Sequence, residues 1–245
     1  MKIACSSASF SRALADGTLT QLEWLDLCAN ELELDGIVFD AAHFPRTDDD
    51  YLAQLKKLAT DLGLTVAALA ADDVFSPAGE RHFTTALALG SPLVVSPAPP
   101  ASEDAAAWGA FTAVAHDRAS LAKRLNITLS IRNAEATSCS NAADLRRLAK
   151  DVDSAWVRYA LAPLTAGPEG PSLLPKTTIA IASLDAITGF ATPGDDRAKT
   201  LIQTLARFRG FTVLDSTDAT APRDAYHHAI DRFTALRGAA LTTQA

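Results

Sequence analysis

The feature that most constrains this chain is a regular alternation of short apolar runs with longer amphipathic stretches, the pattern of β/α units around a parallel sheet. Eight runs are predicted as strands: Ile3 to Ser6, Gly36 to Asp40, Leu64 to Ala70, Pro92 to Ser96, Ile127 to Ile131, Trp156 to Leu161, Thr177 to Ala182 and Phe211 to Leu214. Several are apolar without alternation, as expected for strands covered on both faces. Eight units in 245 residues leave about 31 residues for each, close to the ~250 residues of a (β/α)8 barrel. A doubly wound sheet is the main competitor. It usually has fewer strands, and its dinucleotide-binding form carries Gly-x-Gly-x-x-Gly after the first strand, whereas no two glycines here are separated by one residue. The pattern therefore predicts a single (β/α)8 TIM barrel over residues 1–237 with a frayed C-terminal tail at 238–245.

The intervening helices carry readable ends. Thr20 and Glu23 form a capping-box pattern, and Thr47 followed by Asp48, Asp49 and Asp50 predicts a cap with an acidic first turn. The helix after it places Leu52, Leu55, Leu58, Ala59 and Leu62 on one face before Gly63 stops it. Ser76-Pro77 reads as an N-cap with proline at the first helical position, and Pro222 sits near the start of the last helix. The segment from Gly167 to Pro171 reads as a loop with a short or absent helix.

Hydrophobic residues at 48% and charged residues at 21% exclude disorder for most of the chain. Twenty-two basic against 29 acidic residues leave a formal charge of −7, so neither nucleic acid nor a membrane is an expected partner. No window approaches the ~18 consecutive apolar residues of a membrane helix, and the start turns polar too early for a signal peptide. Cys5, Cys28 and Cys139 are an odd number, widely spaced and without a Cys-x-x-Cys pair, which suits a reduced cytoplasmic compartment.

In a β/α barrel the reactive groups follow the C-terminal ends of the strands. Those positions hold Ser6, Ser7 and Ser9; Asp40, His43 and Arg46; Asp72 and Asp73; Ser96; Arg132, Asn133 and Glu135; Thr165; Ser183 and Asp185; and Asp215, Ser216 and Thr217. Together with Cys-Ser-Ser-Ala-Ser-Phe at 5 to 10, Leu-Gly-Leu-Thr-Val at 62 to 66, Ser-Leu-Asp at 183 to 185, and Pro193-Gly194-Asp195-Asp196 leading to Phe208-Arg209-Gly210-Phe211, they give a chain that resembles the xylose-isomerase-like barrels. That family contains sugar-phosphate isomerases and epimerases and shares its fold with an apurinic-site endonuclease.

The resemblance implies a site that, in active members, holds one divalent cation with a Glu after strand five, an Asp after six, a His after seven and a Glu after eight. The corresponding residues here are Arg132, Ala162, Ala182 and Asp215, and a second His after strand six is replaced by Thr165. The family's ligands sum to −3, which a +2 ion brings to −1, whereas Arg132 and Asp215 already sum to zero. A divalent ion ~4 Å from the guanidinium would meet a repulsion of roughly 8 kcal/mol at an effective dielectric of 20. No metal and no other cofactor is expected.

The catalytic candidates are Asp40, His43, Arg132 and Asp215. Arg132 reads either as a cation at the pocket floor that binds a carboxylate, phosphate or enolate oxygen, or as a structural ion pair with Asp40 or Asp215. Asp40 and His43 read either as a base and an acid beside a sugar carbon or as loop residues. Ser7, Arg46, Asp72, Asn133 and Asp185 are substrate-binding candidates. Asp72 and Asp73 point to opposite sides of an extended segment, so only one faces the pocket. His82, His116, His227 and His228 read as surface residues, Cys5 as a packed thiol, and Trp108 and Phe111 as core.

Two functions follow: a sugar or sugar-phosphate isomerase/epimerase-like enzyme that works without the family's metal, or a barrel that binds a sugar or an anionic small molecule without turnover, as a pseudoenzyme. DNA-lesion cleavage would require a metal cluster and a basic surface that this sequence does not display.

Overall fold

In a computed structural model, which describes residues 2–189, 196–216 and 222–242, parallel strands close into a barrel in chain order. They are β1 (Lys2–Ser6), β2 (Gly36–Asp40), β3 (Thr65–Ala70), β4 (Leu93–Pro97), β5 (Thr128–Arg132), β6 (Val157–Leu161), β7 (Thr177–Ser183) and β8 (Phe211–Asp215). Each predicted run lies within one residue of a strand at both ends. The ring closes where β1 pairs with β8, from Lys2 opposite Phe211 to Cys5 opposite Leu214.

The helices are α1 (Ser11–Ala15), α2 (Gln21–Asp26), α3 (Asp49–Asp61), α4 (Arg81–Leu89), α5 (Ala105–Leu125), α6 (Ala142–Val152), α7 (Pro163–Ala166), α8 (Gly170–Leu173), α9 (Leu184–Gly189), α10 (Asp196–Arg207) and α11 (Pro222–Thr242). The Thr20–Glu23 capping box forms as read. The cap of α3 is Asp48 rather than Thr47, because the Asp48 carboxylate is the group that accepts the Tyr51 N–H, at 3.1 Å. Gly63 ends that helix in the left-handed region at φ 74°. Ser76 makes no side-chain capping bond, and Pro77 opens a 3-10 turn instead of α4 itself. Short helical turns fill the β6–β7 connection around Gly167. The last helix runs to Thr242, so 238–242 continue it; residues 243–245, Thr217 and the Pro193-Gly194-Asp195 segment lie outside the described residues.

Two cores follow from strand alternation. Ala4, Val38, Ala68, Val95, Ala160, Ile179, Ile181 and Val213 fill the barrel interior, small residues of some strands interlocking with large ones of others. Cys5, Ile37, Phe39, Leu69, Val94, Ile131, Tyr159, Leu161, Ala182 and Leu214 face the helices. His82, read as a surface residue, is buried at the start of α4 and bonded to Asp73.

A buried tyrosine fastens the β1–β8 seam. From α11 the Tyr226 hydroxyl donates to the Leu214 carbonyl at 2.6 Å, accepts from the Ser6 N–H at 3.3 Å and meets Ser9 Oγ at 3.1 Å. Ser9 Oγ in turn accepts the Ser216 N–H at 2.9 Å. Tyr226→Phe leaves these groups without their common partner and is expected to lower stability by about 2 kcal/mol, read as a reduced midpoint in urea with an unchanged slope; an unchanged midpoint contradicts the role given to the hydroxyl.

Candidate active site

The inward positions at the C-terminal strand ends set what the mouth presents. Counting on from the interior residues, they are Ser6, Asp40, Ala70, Pro97, Arg132, Ala162, Ser183 and Asp215. Arg132, Ala162, Thr165, Ser183, Asp185, Asp215 and Ser216 line one cavity of about 170 Å³ at the ends of β5 to β8. This corrects the expected set at one position. Ala182 is buried on the outer face of β7, packed towards the helices, and Ser183 takes the inward place. The cause is the irregularity opposite Tyr159 and Ala160, where the pairing steps from Thr177 to Ile179; a one-residue slip exchanges the two faces of a strand.

Arg132 and Asp215 form an ion pair across this cavity, Nη1 to Oδ2, at 3.3 Å. The Asp215 residue is 7% exposed, and its other oxygen, Oδ1, is buried without a hydrogen-bond partner among the described residues. The Arg132 side chain is 37% exposed, and its remaining donors make no other hydrogen bond among the described residues. The site thus offers a fixed cation with donors to spare, held by a carboxylate whose second oxygen is buried. Asp185 lies on the rim and accepts the Ser216 hydroxyl at 3.4 Å.

The β1–β3 side of the mouth holds Asp40 and His43. Asp40 ends β2, and its carboxylate accepts the Ala42 N–H at 2.9 Å. Burial pushes the Asp40 carboxyl up; the Ala42 N–H and the His43 charge oppose this, and the nearby Asp72 and Asp215 charges add to it. Asp73 turns away to Arg81 at 2.7 Å and to His82, whereas Asp72 is exposed and its charge acts on Asp40. A carboxyl with a raised folded pKa contributes most stability below its unfolded pKa and loses that contribution as pH rises through the folded value. Asp40→Asn, which keeps an acceptor for Ala42, is accordingly expected to melt above the native protein at pH 7 and level with it below about pH 4; a lower melting temperature at pH 7 contradicts the burial.

Three substrate-binding candidates make contacts within the protein. Ser7 is fully buried, and its hydroxyl accepts the Asp40 N–H at 2.8 Å and meets His43 Nδ1 at 3.3 Å, which holds β1, β2 and the imidazole together. The Asn133 amide is committed to the Ala162 backbone, donating to its carbonyl at 3.0 Å and accepting its N–H at 2.7 Å, so it spaces the ends of β5 and β6. Arg46 pairs with Asp48 at 3.2 Å and lies 5.0 Å over the Tyr51 ring, on the flank of α3. Sequence reasoning placed Ser183 at a strand end but gave the inward position of β7 to Ala182, and it missed Tyr226 as the seam beneath the mouth. The spacing of Tyr226, Ala229 and Phe233, all buried on α11, marks that helix's inner face and was the available signal for the seam.

Among the described residues no three His, Cys, Asp or Glu side chains gather to hold a metal ion, and no helix is long and apolar enough to cross a membrane.

No protein-family model and no curated protein matches this sequence. Solved structures match the fold along nearly its whole length. L-ribulose 3-epimerase superposes with a TM-score of 0.78 at 17% identity, covering 100% of this chain and 98% of that one. A probable 3-DHS dehydratase from Bacillus anthracis gives 0.74 at 14%, covering 94% and 98%. A xylose isomerase-like TIM barrel protein from Mycobacterium smegmatis, in complex with magnesium, gives 0.68 at 16%, covering 97% of each chain. At these identities the likeness is one of fold, and the chain has the architecture of a single (β/α)8 TIM barrel, similar to these proteins along nearly its whole length.

Proposed function

We propose that the mouth binds a small hydroxycarbonyl compound of the sugar class and moves a proton beside its carbonyl, as an isomerase or epimerase that works without a divalent ion at the strand ends. The observation that carries this reading is the Arg132–Asp215 pair at the cavity, with Arg132 donors left free of other partners among the described residues. The side chains at these ends do not suit a divalent ion: β5 presents a guanidinium, the end of β6 a methyl and β7 a hydroxyl, and β8 alone a carboxylate. The epimerase among the structures of the same fold supports the substrate class.

In the proposed reaction the carbonyl oxygen of the ligand lies against the spare donors of Arg132. The Asp215 carboxylate takes the proton from the adjacent carbon, and the C–H electron pair moves into the carbon–carbon bond as the carbonyl pair moves onto oxygen. Arg132 stabilises the resulting enediolate. Asp40, whose carboxyl burial pushes up, returns a proton from the opposite side to the same carbon, which inverts it. For isomerisation the proton goes to the neighbouring carbon, with a second proton passing between the oxygens. Environments that separate two carboxyl groups in this way are how one site supplies both an acid and a base. A +1 guanidinium stabilises an oxyanion less than a +2 ion does, so turnover is expected to be slow.

A second reading, binding without turnover, is favoured by Ala162, which gives the end of β6 shape but no chemistry. Incubation of EDTA-treated protein with L-ribulose or D-allulose in D2O separates the two. Loss of the proton signal beside the carbonyl, reduced at least ~100-fold by Asp215→Asn, supports the enzyme. Ligand-induced thermal stabilisation with no exchange supports binding alone, and exchange that appears only with added metal overturns both metal-free readings.

A further inference from the structure

We propose that a groove on the flank of the barrel, between α6 and the β6–β7 connection, binds the phosphate group of a small soluble phosphomonoester. The groove encloses about 570 Å³ and is lined by Arg146, Lys150, Asp153, Tyr159, Ser172 and Lys176, a volume within the ~300–1,000 Å³ of small-molecule sites. It lies against the outward face of β6, apart from the residues that line the mouth.

Tyr159 reaches this groove from the strand. The residue is 3% exposed, yet its hydroxyl makes no hydrogen bond within the described residues, which leaves it for a molecule in the groove. Burial pushes the Tyr159 hydroxyl up, with the Arg146 and Arg158 charges opposing, so it stays a protonated donor at neutral pH.

The charge around it is unusual for this chain. Lys150 and Lys176 have no carboxylate partner among the described residues. Arg146 pairs with Glu169 and donates to Ser172 Oγ at 2.6 Å, which leaves further donors of its fork. Against these three cations stand Asp153 in the lining and Glu169 beside it. The local balance is +1 in a protein of formal charge −7. Two ammonium groups, part of a guanidinium and a phenol suit an anion with several oxygens better than a two-oxygen carboxylate. Leu173 and Pro175 give the groove an apolar wall for the body of the molecule that carries the phosphate.

The reading is independent of the chemistry proposed for the mouth, and its test keeps the two apart. The full chain carrying Arg132→Gln, which removes the mouth's cation, is titrated with inorganic phosphate by calorimetry at low ionic strength. Saturable binding at one site per chain is expected, weakened at least tenfold by Lys150→Gln with Lys176→Gln and severalfold by Tyr159→Phe. The lysine variant lies on the surface and keeps the test valid should Tyr159→Phe fold poorly. No saturable binding, or an affinity unchanged in both groove variants, overturns the proposal. Phosphatidic-acid vesicles distinguish a membrane headgroup from a soluble ligand. A flat surface does not bring its phosphate down to Tyr159, so no co-sedimentation is expected, and co-sedimentation abolished by the lysine variant overturns the soluble-ligand reading.

Discussion

Arg132→Gln is expected to lower kcat/KM for proton exchange at the mouth by about 10²- to 10³-fold, the loss seen when a main oxyanion donor is removed. Glutamine keeps hydrogen-bonding capacity and much of the side-chain length, so the loss isolates the charge. The same change leaves the Asp215 carboxylate, whose side chain is 9% exposed, without a counter-ion. Breaking a fully buried pair costs about 3–5 kcal/mol. Because Arg132 itself is 37% exposed, solvent screens part of the interaction and about 2 kcal/mol is expected, or roughly 6 °C in melting temperature for a chain of this size. Adding Asp215→Asn to Arg132→Gln restores most of the lost stability and none of the activity, a non-additivity that a double-mutant cycle reads directly. A variant with native rate and native melting temperature removes Arg132 from the account.

The second large effect is structural. Arg118→Ala is expected to destabilise the protein by about 3 kcal/mol, close to 10 °C. The Arg118 side chain is 7% exposed on α5, and its guanidinium clamps the loop after β3. Nε donates to the Val74 carbonyl at 2.9 Å, Nη2 to the Ser76 carbonyl at 2.8 Å and Nη1 to the Glu80 carboxylate at 2.8 Å. Val74 is fully buried, so its carbonyl has no water to turn to. The loop is packed so closely that a Cβ on Gly79 would come within 2.1 Å of the same carbonyl. Arg118→Met keeps the stem and loses the head. A melting temperature close to that of Arg118→Ala assigns the effect to the hydrogen bonds, whereas one close to the native protein contradicts the clamp.

Much of the barrel was legible because it is written in local pattern. Apolar runs such as Gly36 to Asp40 and helix ends such as Thr20–Glu23 depend on neighbours in sequence, and they appear where they were read. The pairing of Arg132 with Asp215 was legible as one of two options because both residues follow strands that the fold must bring to one end. Ala182 was misplaced because Ile179, Ala180, Ile181 and Ala182 alternate plainly but do not say which face is inward; that depends on a pairing irregularity with β6. The hydrogen bonds of Ser7, Asn133 and His82 were not legible for another reason. Their partners, Asp40, Ala162 and Asp73, lie in other loops, and a polar residue at a strand end serves a ligand or the neighbouring backbone equally well by sequence. Arg118 left no trace, since one buried guanidinium on a long helix has the same local pattern as an exposed one.

The measurement that tests the central claim most directly is the anomalous difference map of crystals grown with millimolar Mn²⁺. The account predicts no manganese peak among residues 132, 162, 183 and 215, with the Arg132 guanidinium in hydrogen-bond contact with Asp215. A well-ordered peak bonded to Asp215, with Arg132 swung clear of it, would contradict the account.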